Sequence, residues 1–239
     1  MNQWCGFERL DFEFDGHSCI LVKPETEAPG RPWVWRAEFF GAFAQVDEAM
    51  VKRGWHIAYV SLSDRYGCPS AVEDMEKFRV MMVERFGLSE KPCIFGFSRG
   101  GLYTVNYALT YPRYADKLYL DAPVLDIRSW PGGKGKGLGN AKCWQECLEC
   151  YGLDEESART FSVNPLDRTE ELVKTGIPVV IVAGGADETV PYDENGEPFV
   201  KRFRAAGGVI EEYVKPDCGH HPHSLEDPSP VVEFLTKEA

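Results

Sequence analysis

Three features of this 239-residue chain could together break an acyl bond: a serine set between glycines, an aspartate on a glycine turn, and a cluster of histidines. Gly96-Phe97-Ser98-Arg99-Gly100 fits Gly-x-Ser-x-Gly. That pattern alone is weak, because composition yields it by chance in about one chain in ten of this length. Its setting says more. The apolar run CIFGF leads into it and GGLYTVNYAL leads out as a helix. A serine on so sharp a turn needs small neighbours, which Gly96 and Gly100 supply, and the helix that follows points its first N–H groups at the site. The plainer alternative is a serine capping an ordinary helix.

A serine hydroxyl is a poor nucleophile without an oriented base. Asp187, in IVAGGADETVPY, follows the most apolar run of the chain and is expected at the carboxyl end of a sheet, beside Ser98. It could instead be a turn aspartate that bonds its own backbone. Asp121 and Asp126 are rivals near the end of the preceding strand, and Asp121 could support the base from behind. For the base, His17 lies in an N-terminal hairpin and His56 opens a strand. His220, His221 and His223 cluster in DCGHHPHSLEDP, between the last strand and the last helix. His220 follows Gly219 directly and is the preferred base, with His221 and His223 as alternatives that otherwise shape the pocket. His-His-Pro-His lacks the one-turn spacing of a helical zinc pair, so no metal centre is expected.

The elements that must position these residues alternate. LDFEFDG and HSCILVKP flank Asp15-Gly16, a hairpin turn signal. Strands then follow at Pro32–Trp35, His56–Val60, Cys93–Phe97, Lys117–Leu120, Ile177–Ala183 and Val209–Val214. Helices are expected at Glu38–Arg53, Ser70–Phe86, Gly100–Leu109, Phe199–Ala206 and Pro230–Lys237. Such alternation predicts an α/β fold: a mostly parallel sheet with helices on both faces, in three layers. Residues 126–175 interrupt the pattern with WPGGKGKGLG, a cysteine-bearing helix and a further short helix, and are expected to form a small cap on a single domain spanning residues 1–239.

Composition excludes several classes. Lys+Arg 26 against Asp+Glu 38 gives a net charge of −12, which disfavours nucleic-acid partners. No run approaches the ~20 apolar residues of a membrane span. The first residues lack a basic start followed by an apolar run, so a cytoplasmic protein without a signal peptide is expected. Eight cysteines in a chain this long read as reduced thiols, not a disulfide scaffold. Cys143, Cys147 and Cys150 share the spacing of a radical-SAM iron–sulfur motif. They sit midway along the chain on a helix, where spacings of four and three give one packed face, so no cofactor is expected.

At GFSRGG, GGADETVP and the glycine–histidine pair the chain resembles the alpha/beta-hydrolase superfamily, whose order of serine, acid and histidine it shares. More narrowly, RPWVWRAEFFGAF, GFSRGG, SWPGGKGKG and GHHPHSL resemble a bacterial esterase-like group found near carbohydrate-degrading enzymes. The resemblance implies a serine hydrolase of a carboxylic ester on a small molecule or oligosaccharide. The alternatives are a peptidase on the same fold, or a binding protein that kept the fold and lost turnover. It also implies an oxyanion hole formed by the N–H of Arg99 and a second donor in the loop after the third strand, Arg36 or Ala37. In the cap loop, Lys134 and Lys136 are expected to attract an acidic sugar ester, and Trp130 to stack on a sugar ring.

Overall fold

A computed structural model of the chain describes residues 2–237. The hairpin forms as its sequence requires: β2 (Phe7–Phe14) pairs antiparallel with β3 (His17–Lys23), from Glu8 opposite Lys23 to Phe14 opposite His17. Asp15 and Gly16 both have positive φ, 50° and 79°, which suits the twist of a two-residue hairpin turn. A short strand that the sequence pattern did not show, β1 (Asn2–Trp4), pairs with β2.

Six further strands complete the sheet: β4 (Trp33–Arg36), β5 (His56–Val60), β6 (Cys93–Phe97), β7 (Leu118–Asp121), β8 (Val179–Gly184) and β9 (Ile210–Lys215). The order is β1-β2-β3-β5-β4-β6-β7-β8-β9, antiparallel through the β3–β5 pair and parallel from β5 to β9. Side chains alternate across it with the two-residue period of a strand. Trp33, Trp35, Ile94, Leu118, Leu120, Val179 and Ile181 face one helical layer, which holds α2 (Pro69–Phe86), α3 (Gly100–Thr110), α6 (Thr169–Lys174) and α7 (Gly196–Ala205). Val34, Phe95, Phe97, Tyr119, Val180 and Val182 face the other, formed by α1 (Gln45–Val51) and α8 (Ser229–Thr236). These strands are apolar on both faces because each face is covered.

Two expectations need correction. The helix expected from Glu38 begins only at Gln45, because Phe39, Gly41 and Phe43 have positive φ of 55°, 81° and 48°. The side chain of Arg36 explains that loop. It is fully buried, donates to the carbonyls of Phe39 (3.1 Å) and Ala42, and lies 3.9 Å over the Phe97 ring. A cation in that position claims carbonyls that a helix would otherwise use. The inserted region is also shorter than expected. The chain leaves the sheet layer and returns through a neck in which Leu166 N–H donates to the Leu125 carbonyl at 2.9 Å and Ile127 N–H to Asn164 Oδ1 at 3.1 Å. Beyond that neck, Leu172 of α6 belongs to the main core. Between its two strands the insertion holds α4 (Ala141–Tyr151) and α5 (Glu155–Arg159) around Ile127, Trp144, Cys147, Leu148 and Ala158, packed on Tyr66 and Leu102.

Candidate active site

Ser98 follows β6 directly and has a φ of 50°, a left-handed conformation that costs a non-glycine residue about 1–3 kcal/mol. The surroundings hold it there. Its N–H donates to the Asp121 carbonyl at 2.9 Å, and its own carbonyl accepts from Val124 N–H at 2.9 Å. Gly96 is required by close approach, because a Cβ there would lie 2.6 Å from Thr104 Oγ1 and 2.8 Å from the Gly100 carbonyl. Gly100 is under less pressure, since its added Cβ would meet Glu38 Cβ at 3.4 Å.

Asp187 stands on the turn after β8 and is buried. Its two oxygens have different partners. Oδ1 accepts the N–H groups of Thr189 and Val190, each at 2.8 Å, while Oδ2 accepts from His220 Nδ1 at 2.6 Å. The turn thus fixes the carboxylate, and the carboxylate fixes the imidazole. His220 Nε2 lies 3.0 Å from Ser98 Oγ. Gly184 permits this contact between loops: a Cβ there would sit 2.2 Å from the Gly219 carbonyl. Residues 98, 187 and 220, far apart in sequence, form one hydrogen-bonded line at the carboxyl end of the parallel strands.

The other sequence-named residues fall in different places. Asp121 ends β7, one strand over, with its carboxylate accepting from His223 Nδ1 (2.8 Å), Ser224 N–H (2.7 Å) and Tyr119 Oη–H (2.7 Å). Asp126 is engaged by Arg128 and lies on the insertion. His223 is buried, and its ring meets Phe43 edge-on. His221 is exposed and stacks on Phe43, with centroids 5.4 Å apart and planes at 14°. Its pKa is lowered, by partial burial first and then by the neighbouring His223 and His220. His56 pairs with Glu27 instead, and burial lowers its pKa.

Arg36 and Ala37, expected to offer a second oxyanion donor, are both engaged by the sheet. Ala37 N–H is bonded to the Phe95 carbonyl at 3.1 Å, and Arg36 is the last residue of β4, in register with Tyr59 on one side and Phe95 on the other. The N–H of Glu38 is the better placed group. It lies 3.8 Å from where a Gly100 Cβ would stand, and among the described residues neither it nor Arg99 N–H has an acceptor. Glu38 lies one position beyond the residues the sequence pointed to, because strand β4 ends one residue later than the pattern indicates.

Around Ser98 runs a charged rim. Arg99 Nε donates to the buried Glu38 at 2.6 Å and Nη1 to the exposed Asp64 at 2.7 Å, and Ser63 Oγ donates to Glu38 at 2.9 Å. Burial raises the Glu38 pKa; Arg99 and Ser63 work against that rise without cancelling it. Burial opposes the charge on Arg99, but Glu38 and then Asp64 raise its pKa on balance. The Arg99 guanidinium also lies 5.3 Å over Phe39 and 5.8 Å over Tyr66.

The cap loop departs from expectation. Lys134 bonds Glu155 at 3.0 Å, and Lys136 bonds Asp193, so both cations already have carboxylate partners. Trp130 is half-buried, 6.2 Å from Tyr66, on the side of the site that carries Arg99. All eight cysteines are free; Cys147 packs inside the insertion while Cys143 and Cys150 are half-buried at its edge.

Neither a protein-family model nor a curated protein matches the sequence. Solved structures do match. The acylaminoacyl peptidase of Pyrococcus horikoshii superposes with a TM-score of 0.68 over 90% of this chain at 17% identity. Dipeptidyl peptidase 4 of Porphyromonas gingivalis does so with a TM-score of 0.70 over 98% at 15% identity. The fold is that of the alpha/beta-hydrolases. This chain spans 38% and 35% of the length of those two neighbours. No helix among the described residues is long and apolar enough to cross a membrane.

Proposed function

We propose that the chain is a serine hydrolase of carboxylic acyl compounds, with Ser98 as nucleophile, His220 as base and Asp187 as the group that orients it. The observation that carries this reading is the unbroken line from Asp187 Oδ2 (2.6 Å) through His220 to Ser98 Oγ (3.0 Å). His220 Nε2 takes the hydroxyl proton as Ser98 Oγ bonds to the carbonyl carbon. Asp187 keeps the proton on Nδ1 and stabilises the imidazolium that forms. The N–H groups of Arg99 and Glu38 donate to the developing oxyanion, each contributing about 3–4 kcal/mol to the barrier reduction. His220 then gives its proton to the leaving group. Water, deprotonated by the same histidine, releases the acyl group and restores Ser98.

Ester hydrolysis is the first reading, on a small molecule or an oligosaccharide, with Phe39 and Tyr66 beside Arg99 and Trp130 next to Tyr66 as aromatic surface near the rim. It takes support from the sequence resemblance. The peptidase reading takes support from the two structural neighbours, both peptidases by name. Glu38 and Asp64, two carboxylates against one guanidinium at the nucleophile, give that rim a negative surplus suited to a cationic or neutral substrate. A panel of aryl esters, acetylated sugars and aminoacyl anilides separates these readings. Turnover of esters alone is the expected result. Faster turnover of aminoacyl anilides moves the assignment to a peptidase, and turnover of neither class contradicts the proposal.

A further inference from the structure

The three histidines of the 220–223 loop form a nearly equilateral triangle. The ring centroids of His220, His221 and His223 are all 4.9 Å apart, and one ring nitrogen from each lies within 4.8 Å of the others. A tetrahedral zinc ion with Zn–N bonds of about 2.0–2.1 Å holds its imidazole nitrogens about 3.4 Å apart and the ring centres about 5 Å apart. Two of the three carry a carboxylate on Nδ1, as zinc-bound imidazoles do, and the 4.8 Å nitrogen spread must close by about 1.4 Å to meet an ion. His220 Nδ1 is held by Asp187 (2.6 Å) and His223 Nδ1 by Asp121 (2.8 Å), which leaves the Nε2 lone pair of each facing away from its carboxylate. A carboxylate behind an imidazole is the outer shell that fixes ring orientation and raises ligand basicity in metal sites. His221 is the exposed third member, stacked on Phe43.

We infer that His220, His221 and His223 bind a zinc or similar soft divalent ion that switches hydrolysis off. This rests on the reading of His220 as the base. The ion takes the Nε2 lone pair that otherwise accepts the Ser98 hydroxyl, so the proton stays on Ser98 Oγ and no electrons are transferred. The sequence spacing argued against a resident metal centre because it was read along a helix. The triangle instead comes from a loop, and its effect is inhibition, not catalysis.

Zinc alone, added to the purified chain against a chromophoric zinc indicator, measures uptake without reference to hydrolysis. Uptake of one ion per chain is expected, weakened at least tenfold in His221→Ala, an exposed position whose loss should not unfold the loop. Asp121→Asn, which removes an outer-shell carboxylate, should weaken it by about tenfold as well. Cobalt in place of zinc should show the visible bands of tetrahedral nitrogen ligation without a thiolate charge-transfer band. For wild type, residual hydrolysis should fall in step with zinc uptake; for His221→Ala, compared with its own zinc-free rate, it should not. Uptake indifferent to His221→Ala, or a thiolate band, overturns the site. Uptake that follows the variants in a chain without detectable hydrolysis supports the site and removes only the functional reading.

Discussion

Asp121 holds His223 by its side chain and Ser98 by its backbone: its carboxylate takes the His223 Nδ1 proton at 2.8 Å while its carbonyl accepts the Ser98 N–H at 2.9 Å. One residue at the end of β7 therefore sets the distance between the Ser98 turn and the 220–224 loop. Ser224 N–H and Tyr119 Oη–H both donate to the other carboxylate oxygen, so each oxygen of this buried group has a partner. Asp121→Asn places an amide where three donors converge. It should lower thermal stability by about 1–3 kcal/mol and reduce kcat more than KM, as read by thermal melts and steady-state kinetics. An unchanged kcat would show that the base loop does not depend on Asp121.

Asp187→Asn separates the two duties of that side chain. The amide oxygen can still accept from Thr189 and Val190, so the turn and the fold should persist. The Nδ2 group cannot accept the His220 proton, and kcat should fall on the order of 10⁴. Circular dichroism together with single-turnover kinetics checks both halves.

Ser98→Ala and Ser98→Gly should both abolish hydrolysis yet differ in stability. Glycine relieves the left-handed conformation at φ 50° and should melt higher than the alanine variant, by about 1 kcal/mol. Equal stability would mean that the turn is not strained at Ser98.

Arg99→Ala leaves the buried Glu38 carboxylate with Ser63 as its remaining side-chain donor. Glu38 already has a raised pKa, and loss of Arg99 raises it further, so the folded state binds a proton that the unfolded state has released. The variant should be close to wild type in stability at acidic pH. It should then lose stability as pH rises through the new Glu38 pKa, by about 3–5 kcal/mol at the alkaline end. Denaturant titrations across pH 4 to 8 check this, and Arg99→Ala with Glu38→Gln should flatten the profile.

Much of this arrangement was legible from residues alone, because the signals were local. The Asp15-Gly16 turn, the CIFGF strand and the IPVVIVA run each carry their structure in a few neighbouring residues. The meeting of Ser98, Asp187 and His220 followed from where those strands end. The rest depended on contacts distant in sequence. Phe39, Phe43, Val46 and Met50 read as a helix from Glu38, but the buried Arg36 guanidinium bends residues 38–44 into a loop. The lysines of the glycine-rich loop read as free charge, yet Glu155 of the insertion meets Lys134 and Asp193, beyond β8, meets Lys136. The doublet of His223 with Asp121 had no local signal beyond the clustering of histidines.

The central claim is that Ser98 is a nucleophile activated by His220, and a fluorophosphonate probe read by intact mass and peptide mapping tests it most directly. The account predicts one adduct per chain, on Ser98, absent in Ser98→Ala and slowed by orders of magnitude in His220→Ala. Failure of the wild-type chain to label, or an adduct that survives Ser98→Ala, would contradict it.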